Sequence, residues 1–342
     1  MSATNFYIVC CSQAPDGGVA LVRRGSGGGC DVRAFTCLAG ATYLIAAADG
    51  KRFYACGSDA DLSGYVASLR AGAEGALTLV DKVATGGNGC CHLCLSPDET
   101  RLYAANYRSG SVSGFAVGED GTLGGRREFD RHNGRGADPD RQEGPHAHFC
   151  GFSPDGNYLL VNDLGLDLVF AYPYDKARGI DVAAARKNPV APAGAGPRHL
   201  LFEPEGTCLL VTEMGNNLQR LAYADGRFSQ IAGVSTLPAG TEVKSKAAAL
   251  RISPDGRFVL ASNRGYDSIA VFERKTLTPV SIAPAGGKSP RDFAFLSDGR
   301  TVAVTNEFTP NVVFFDFDAE RGELTPTGEV LTMARPLCVL PR

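Results

Sequence analysis

Four of the five histidines in this 342-residue chain, His92, His146, His148 and His199, sit at or near the starts of short apolar runs. Arg198 directly precedes His199, while Asp163, Glu213 and the pair Asn263-Arg264 stand where other apolar runs end. Arg291 opens a further run, after Ser289-Pro. An imidazole with an ordinary pKa near ~6.5 can accept or return a proton at neutral pH. A guanidinium grips a carboxylate or phosphate in bidentate fashion and steadies negative charge that develops on oxygen. These residue types are the parts of proton-transfer chemistry on an anionic substrate. They act together only if one framework brings the starts of some strands and the ends of others to a common place.

That framework is a repeat. The turn-strand unit reads Ser96-Pro-Asp-Glu, Ser153-Pro-Asp-Gly and Ser253-Pro-Asp-Gly, each followed by five or six apolar-rich residues and then Asn or Asp. Weaker copies surround Asp49, Glu205 and Asp298, and the acidic turn residues stand 49, 57, 50, 50 and 43 residues apart. Such an interval is the length of a four-stranded antiparallel blade, and Pro-Asp-Gly supplies its tight turns. Six copies leave a strand at Phe6–Ser12 with nothing before it and one at Arg335–Pro341 with nothing after it. A C-terminal strand that joins the first blade closes the ring and pairs both edges. The expected fold is therefore all-β: a seven-bladed β-propeller, residues 1–342 forming one domain. Strands on either side of the acidic turn are antiparallel, so the histidines and the terminal Asp163, Glu213, Asn263 and Arg264 share one mouth.

Composition narrows the function. A formal net charge of −3 lacks the basic footprint of a nucleic-acid binder. No apolar run is long enough to span a membrane, and the N-terminus has no secretory pattern, so a cytoplasmic protein is expected. Eleven scattered cysteines fit reduced thiols better than a disulfide framework, and Cys91-His-Leu-Cys94 runs into a strand as packing positions. No phosphate-binding glycine loop, dinucleotide fingerprint or nucleophile elbow is present, so no cofactor is expected. Gly is 42 of 342 residues and Trp is absent, which fits many hairpins and argues against tryptophan-marked propellers. The segment Arg126–Gly144 contains His132 and makes the long interval; it is either a disordered surface loop or a lid over the mouth.

The stretches Asp140-Arg-Gln-Glu-Gly-Pro-His-Ala-His148, Asp163-Leu-Gly-Leu-Asp167, Gly194-Ala-Gly-Pro-Arg-His199, Glu213-Met-Gly-Asn-Asn217 and Ser262-Asn-Arg-Gly265 resemble the seven-bladed lactonase-type propellers. The resemblance runs along essentially the whole chain. It departs at Ala249 and Arg251, where the family often has an acidic residue and a histidine, and at Thr212-Glu-Met214. It implies hydrolysis of an anionic sugar lactone without an obligatory metal, or a lactonizing isomerisation of a muconate-type dicarboxylate. In either reaction His148 is the candidate base, Glu213 orients it or acts as the base itself, and Arg198 and Arg264 hold the anion. His146, His199, Asp163, Asn263 and Arg291 are candidate substrate contacts. Structural alternatives stand beside these roles: histidines bonded to backbone, an Arg198–Glu213 salt bridge between blades, and an Arg264–Asp267 pair. A metal-dependent lactonase with His146, His148, Asp163 and Glu213 as ligands, and a non-catalytic binding scaffold, are the remaining readings. The expected partner is a small anionic lactone, with no nucleic acid and no membrane, on a monomer or homodimer.

Overall fold

In the Ser-Pro-Asp-Gly turns the serine and aspartate side chains close the loop on themselves. Ser153 Oγ donates to Asp155 Oδ1 at 2.5 Å and accepts the Tyr158 N–H at 3.0 Å, while Asp155 takes the Asn157 N–H at 3.1 Å. The Ser253 turn repeats these bonds at 2.5, 2.9 and 3.1 Å. Gly256 lies at φ +73°, a left-handed conformation that costs a residue with a Cβ. Each turn thus delivers two antiparallel strands in fixed register.

The computed structural model describes residues 3–342, and its regular structure is strand throughout. Seven sheets stand around a central channel. Blade 1 runs outward from Pro336–Pro341 through Thr4–Cys10 and Gly18–Arg24 to Cys30–Cys37. Blades 2 to 7 begin at the channel with Ala41–Ala46, Cys90–Leu95, Ala147–Phe152, Pro197–Phe202, Lys246–Ile252 and Pro290–Phe295. The C-terminal strand pairs antiparallel with Thr4–Cys10, Val9 opposite Cys338, and closes the ring as expected.

Apolar side chains pack between neighbouring blades. Tyr7, Val9 and Val19 of blade 1 meet Phe53, Ala55 and Tyr65 of blade 2, and equivalent clusters recur around the disc. Tyr7 and Tyr65 are fully buried, with hydroxyls donating to Gly75 O at 2.7 Å and Ala39 O at 2.8 Å. Burying such a ring stabilises the fold by about 1.5–3 kcal/mol, provided its hydroxyl finds a partner.

The Arg126–Gly144 segment is not a free surface loop. Its first third belongs to the outer strand of blade 3, Leu123–Arg131. The remainder is pinned against blade 4. His132 bridges Asp163 Oδ2 at 2.5 Å and the Tyr172 hydroxyl at 2.7 Å, and its ring lies 3.9 Å above Phe170. Buried Gln142 donates to Leu164 O at 2.8 Å and accepts the Asp138 N–H at 3.0 Å. A Cβ at Gly165 would fall 1.9 Å from Gly144 O, so only glycine lets this connection lie so close. It could not have been read from composition, because its Arg, Asp and Gly content is what a solvated loop also shows.

Candidate active site

At one end of the channel lies a cavity of about 470 Å3. Its wall combines starts of inner strands, ends of the strands next to them, and the pinned segment. Five arginines (Arg108, Arg141, Arg264, Arg291 and Arg335) face it against three carboxylates (Asp59, Glu213 and Glu307), with His148, Tyr107 and Cys91 between them. That excess of positive charge sits in a molecule whose net charge is −3. The field is local.

Glu213 is the hub. It is 2% exposed; Arg141 Nη2 donates to its Oε1 at 2.7 Å, and Arg264 Nη2 at 2.6 Å and Arg198 Nε at 3.2 Å approach its Oε2 as ion pairs, the Arg198 Nε without hydrogen-bond alignment. Burial alone would raise its pKa, but Arg264, Arg198 and Arg141 outweigh burial and hold the carboxyl well below the usual range. A carboxylate so stabilised is a poor proton acceptor, and it makes no hydrogen bond with His148. Arg198 does not line the cavity. It lies behind Glu213, pushed down to about 9 by burial and the neighbouring Arg264 and Arg291. It is still a cation at neutral pH. Arg264 pairs with Glu213 rather than with Asp267, which instead accepts the Gly265 and Ser289 N–H groups. Arg291 reaches Glu307 at 3.5 Å, and Arg335 holds the other oxygen of Glu307 at 2.9 Å.

His148 lines the cavity at 4% exposure, and its Nδ1 is buried with no hydrogen-bond partner. Burial first, then Arg198, keeps its pKa well below the ordinary imidazole value, so it is neutral at pH 7. The edge of the Tyr107 ring meets it at 5.5 Å. Neutral and without a hydrogen-bond partner, the imidazole keeps a lone pair available for a proton, although burial and the adjacent guanidiniums make it a weaker base than an ordinary histidine.

The other expected contacts are placed elsewhere. His146 stacks on Tyr107 at 4.4 Å and is held by Tyr107 O at 3.0 Å and Glu143 at 3.2 Å. Asp163 is fully buried and accepts His132 and the His146 and Leu166 N–H groups, so it fastens loops and does not reach the cavity. Asn263 is likewise buried, bonded to Thr236 and Ser268. His199 faces the channel beyond Arg198, away from the mouth. The four ligands of the metal reading are therefore not brought together. Among the described residues no three His, Cys, Asp or Glu side chains are arranged to hold a metal ion. Cys91, expected as packing, faces the mouth; burial raises its thiol to about 12, so it is protonated and unreactive at neutral pH.

Strand-end reasoning missed Arg108, Arg335 and, most consequentially, Arg141. Arg141 reaches Glu213 and the Tyr107 hydroxyl from the pinned segment, outside any strand. Its signal was its place five residues before His146 in the Arg141-Gln-Glu-Gly-Pro-His stretch.

Three channel imidazoles make a pH prediction. Burial depresses His92 to about 3 and takes His148 and His199 well below their ordinary value. Folded, they stay neutral; unfolded, they gain protons near pH ~6.5. The unfolded chain then binds more protons, so stability is fully present above that pH and falls as pH drops below it. Each histidine contributes a slope of up to about 1.4 kcal/mol per pH unit. Urea unfolding between pH 7.5 and 5 should show this loss, and His92→Gln should flatten it; equal stability at both pH values would contradict it.

A closed seven-bladed ring with an arginine-lined mouth beside a buried imidazole makes this a β-propeller with its candidate site at one end of the channel. The chain belongs to the lactonase family of seven-bladed β-propellers, whose model matches residues 5–341. It is 36% identical over 273 residues to 6-phosphogluconolactonase of Bacillus subtilis (strain 168), covering 78% of this chain and 77% of that one. The structure is similar to that of a periplasmic gluconolactonase from Pseudomonas aeruginosa, with TM-score 0.92, 28% identity and coverage of 99% and 98%. A Lactobacillus plantarum protein superposes with TM-score 0.89 at 27% identity, over 99% of both chains. Among the described residues no helix is long and apolar enough to cross a membrane.

Proposed function

We propose that the chain hydrolyses an anionic sugar lactone of the 6-phosphogluconolactone type, in the cytoplasm and without a metal. The observation that carries this reading is the pairing of a neutral, unpartnered His148 with a cavity that presents five arginines to three carboxylates. The name of the Bacillus subtilis relative supports it. In this reaction His148 removes a proton from water as the water oxygen attacks the lactone carbonyl. Arg264, already beside Glu213, stabilises the oxyanion that forms. The ring C–O bond then breaks, the proton passes from His148 to the departing alkoxide, and a hydroxy acid is released. Arg141 and Arg291 hold the phosphate. Glu213 keeps three guanidiniums in position and stays out of proton transfer.

The test is a panel of phosphorylated and unphosphorylated sugar lactones, corrected for spontaneous opening. Hydrolysis that favours the phosphorylated lactone through KM and is indifferent to a chelator is expected. No rate above background on any member would overturn the reading. Arg141→Ala removes a contact with substrate and not the base. It should raise KM for the phosphorylated lactone about tenfold, about 1.4 kcal/mol, with a smaller change in kcat. A kcat loss at unchanged KM would instead place Arg141 at the reacting bond.

A further inference from the structure

Beyond the Arg198–His199 pair the inner strands enclose a second cavity of about 450 Å3, which shares no lining residue with the mouth. It opens toward the turn face, where Ser96, Pro97 and Glu99 line it. Four rings, Tyr43, His92, Phe149 and His199, form one part of its wall, and Ile45 and five leucines form much of the rest. Tyr43 stacks on His92 at 4.3 Å, and His92 meets Phe149 at 4.6 Å and His199 at 5.5 Å.

The free nitrogen groups of this cavity are donors. His92 Nδ1 accepts the Cys150 N–H at 3.3 Å, which leaves its proton on Nε2. His199 Nε2 lies 3.1 Å from Arg198 Nη1, and a guanidinium can only donate, so the His199 proton is on Nδ1. Neither of these N–H groups makes a hydrogen bond to the described residues. Arg251 adds a guanidinium that spends Nη2 on Asp292 at 2.6 Å and Nη1 on Leu250 O at 2.9 Å, with N–H groups to spare. The one carboxylate on the wall, Glu99, is occupied by the Ala48 N–H at 2.6 Å and by Arg52 at 2.8 Å. The ring-bearing part of the wall suits a flat molecule, and the free N–H groups, beside a Tyr43 hydroxyl that can donate or accept, suit one that offers acceptors.

We propose that this cavity is a second ligand site, selective for a small planar aromatic carboxylate. The ligand ring packs against Tyr43, His92 and Phe149. Its carboxylate takes the N–H groups of His92 and His199, with Arg251 supplying the positive charge. Two neutral donors and a partly compensated cation suit a single negative charge, in contrast to the arginine-rich mouth. The site is independent of the lactonase reading, and its test needs no turnover.

Benzoate is the probe, followed by calorimetry and by nitrogen resonances of the histidine rings in the full-length protein. Binding should move the His92 Nε2 and His199 Nδ1 resonances more than those of His148, whose ring meets that of His199 at 5.9 Å. His92→Phe, which keeps the ring and removes the donor, should weaken benzoate at least tenfold, whereas Arg264→Ala at the mouth should not. Benzyl alcohol, of similar shape without charge, should bind at least tenfold more weakly. Absence of benzoate binding, resonance changes confined to His148, undiminished affinity in His92→Phe, or equal affinity for the alcohol would each overturn the proposal. If His92→Phe unfolds, the resonance and alcohol measurements on the unaltered protein decide alone.

Discussion

Replacing His148 with glutamine is expected to lower kcat for lactone hydrolysis by about 10²–10⁴-fold, the usual contribution of a positioned general base, with little change in KM. The split follows from position. His148 lies among the arginines that bind the anion but makes no hydrogen bond to any of them, so its loss leaves binding intact and removes the proton acceptor. Stability should change little, because the Nδ1 that is lost has no partner in the fold. The pH profile carries a separate signature. Burial and Arg198 hold the imidazole below its ordinary value, so kcat/KM should stay level as pH falls through ~6.5 and decline only in more acid solution. A loss centred at pH ~6.5 would show an exposed, ordinary histidine. Unchanged kcat in His148→Gln would move the base elsewhere in the mouth, and Tyr107, raised to about 12 by burial and Glu213, is too weak an acid to replace it near neutral pH.

The ring and its closure were legible because they depend on local signals that recur. A Ser-Pro-Asp-Gly turn satisfies its own hydrogen bonds, so it forms wherever it occurs, and its spacing counts the blades. The face on which His148, Glu213 and Arg264 meet also followed from strand direction alone. What strand logic could not decide is which way each side chain turns once it arrives. Asp163 and Asn263 end the same kind of strand as Glu213, yet they fold back to tie down the connections beside them. His146 and His148 are two residues apart, yet a stack on Tyr107 and a bond to Glu143 take His146 out of the cavity. Arg141 escaped because it sits on an irregular segment whose course is fixed by His132, Gln142 and Gly165, contacts separated by about 20 to 40 residues in the chain. Positions set by repeats can be read; positions set by one-off tertiary contacts need the structure.

Glu213→Gln should be the most destabilising single change in the mouth, costing about 3–5 kcal/mol, because it leaves buried guanidiniums without their counter-charge. The amide keeps the shape and one acceptor oxygen, but three arginines converge where only a carboxylate balances them. Arg198 pays most for this, since it is 2% exposed and Glu213 is the carboxylate with which it forms an ion pair. Two consequences separate a charge hub from a general base. A base replaced by its amide loses kcat while the protein stays as stable as before. A hub loses stability, and anions restore part of it: inorganic phosphate should raise the melting temperature of Glu213→Gln more than that of the unaltered protein, because binding to the folded state alone adds stability by mass action. Removing Arg264 as well should recover part of the loss, since the double change deletes a cation along with its partner. A destabilisation below about 1 kcal/mol, typical of exposed ion pairs, would mean that water screens the cluster. In that case Glu213 could take part in proton transfer, and His148 would have a competitor for the base.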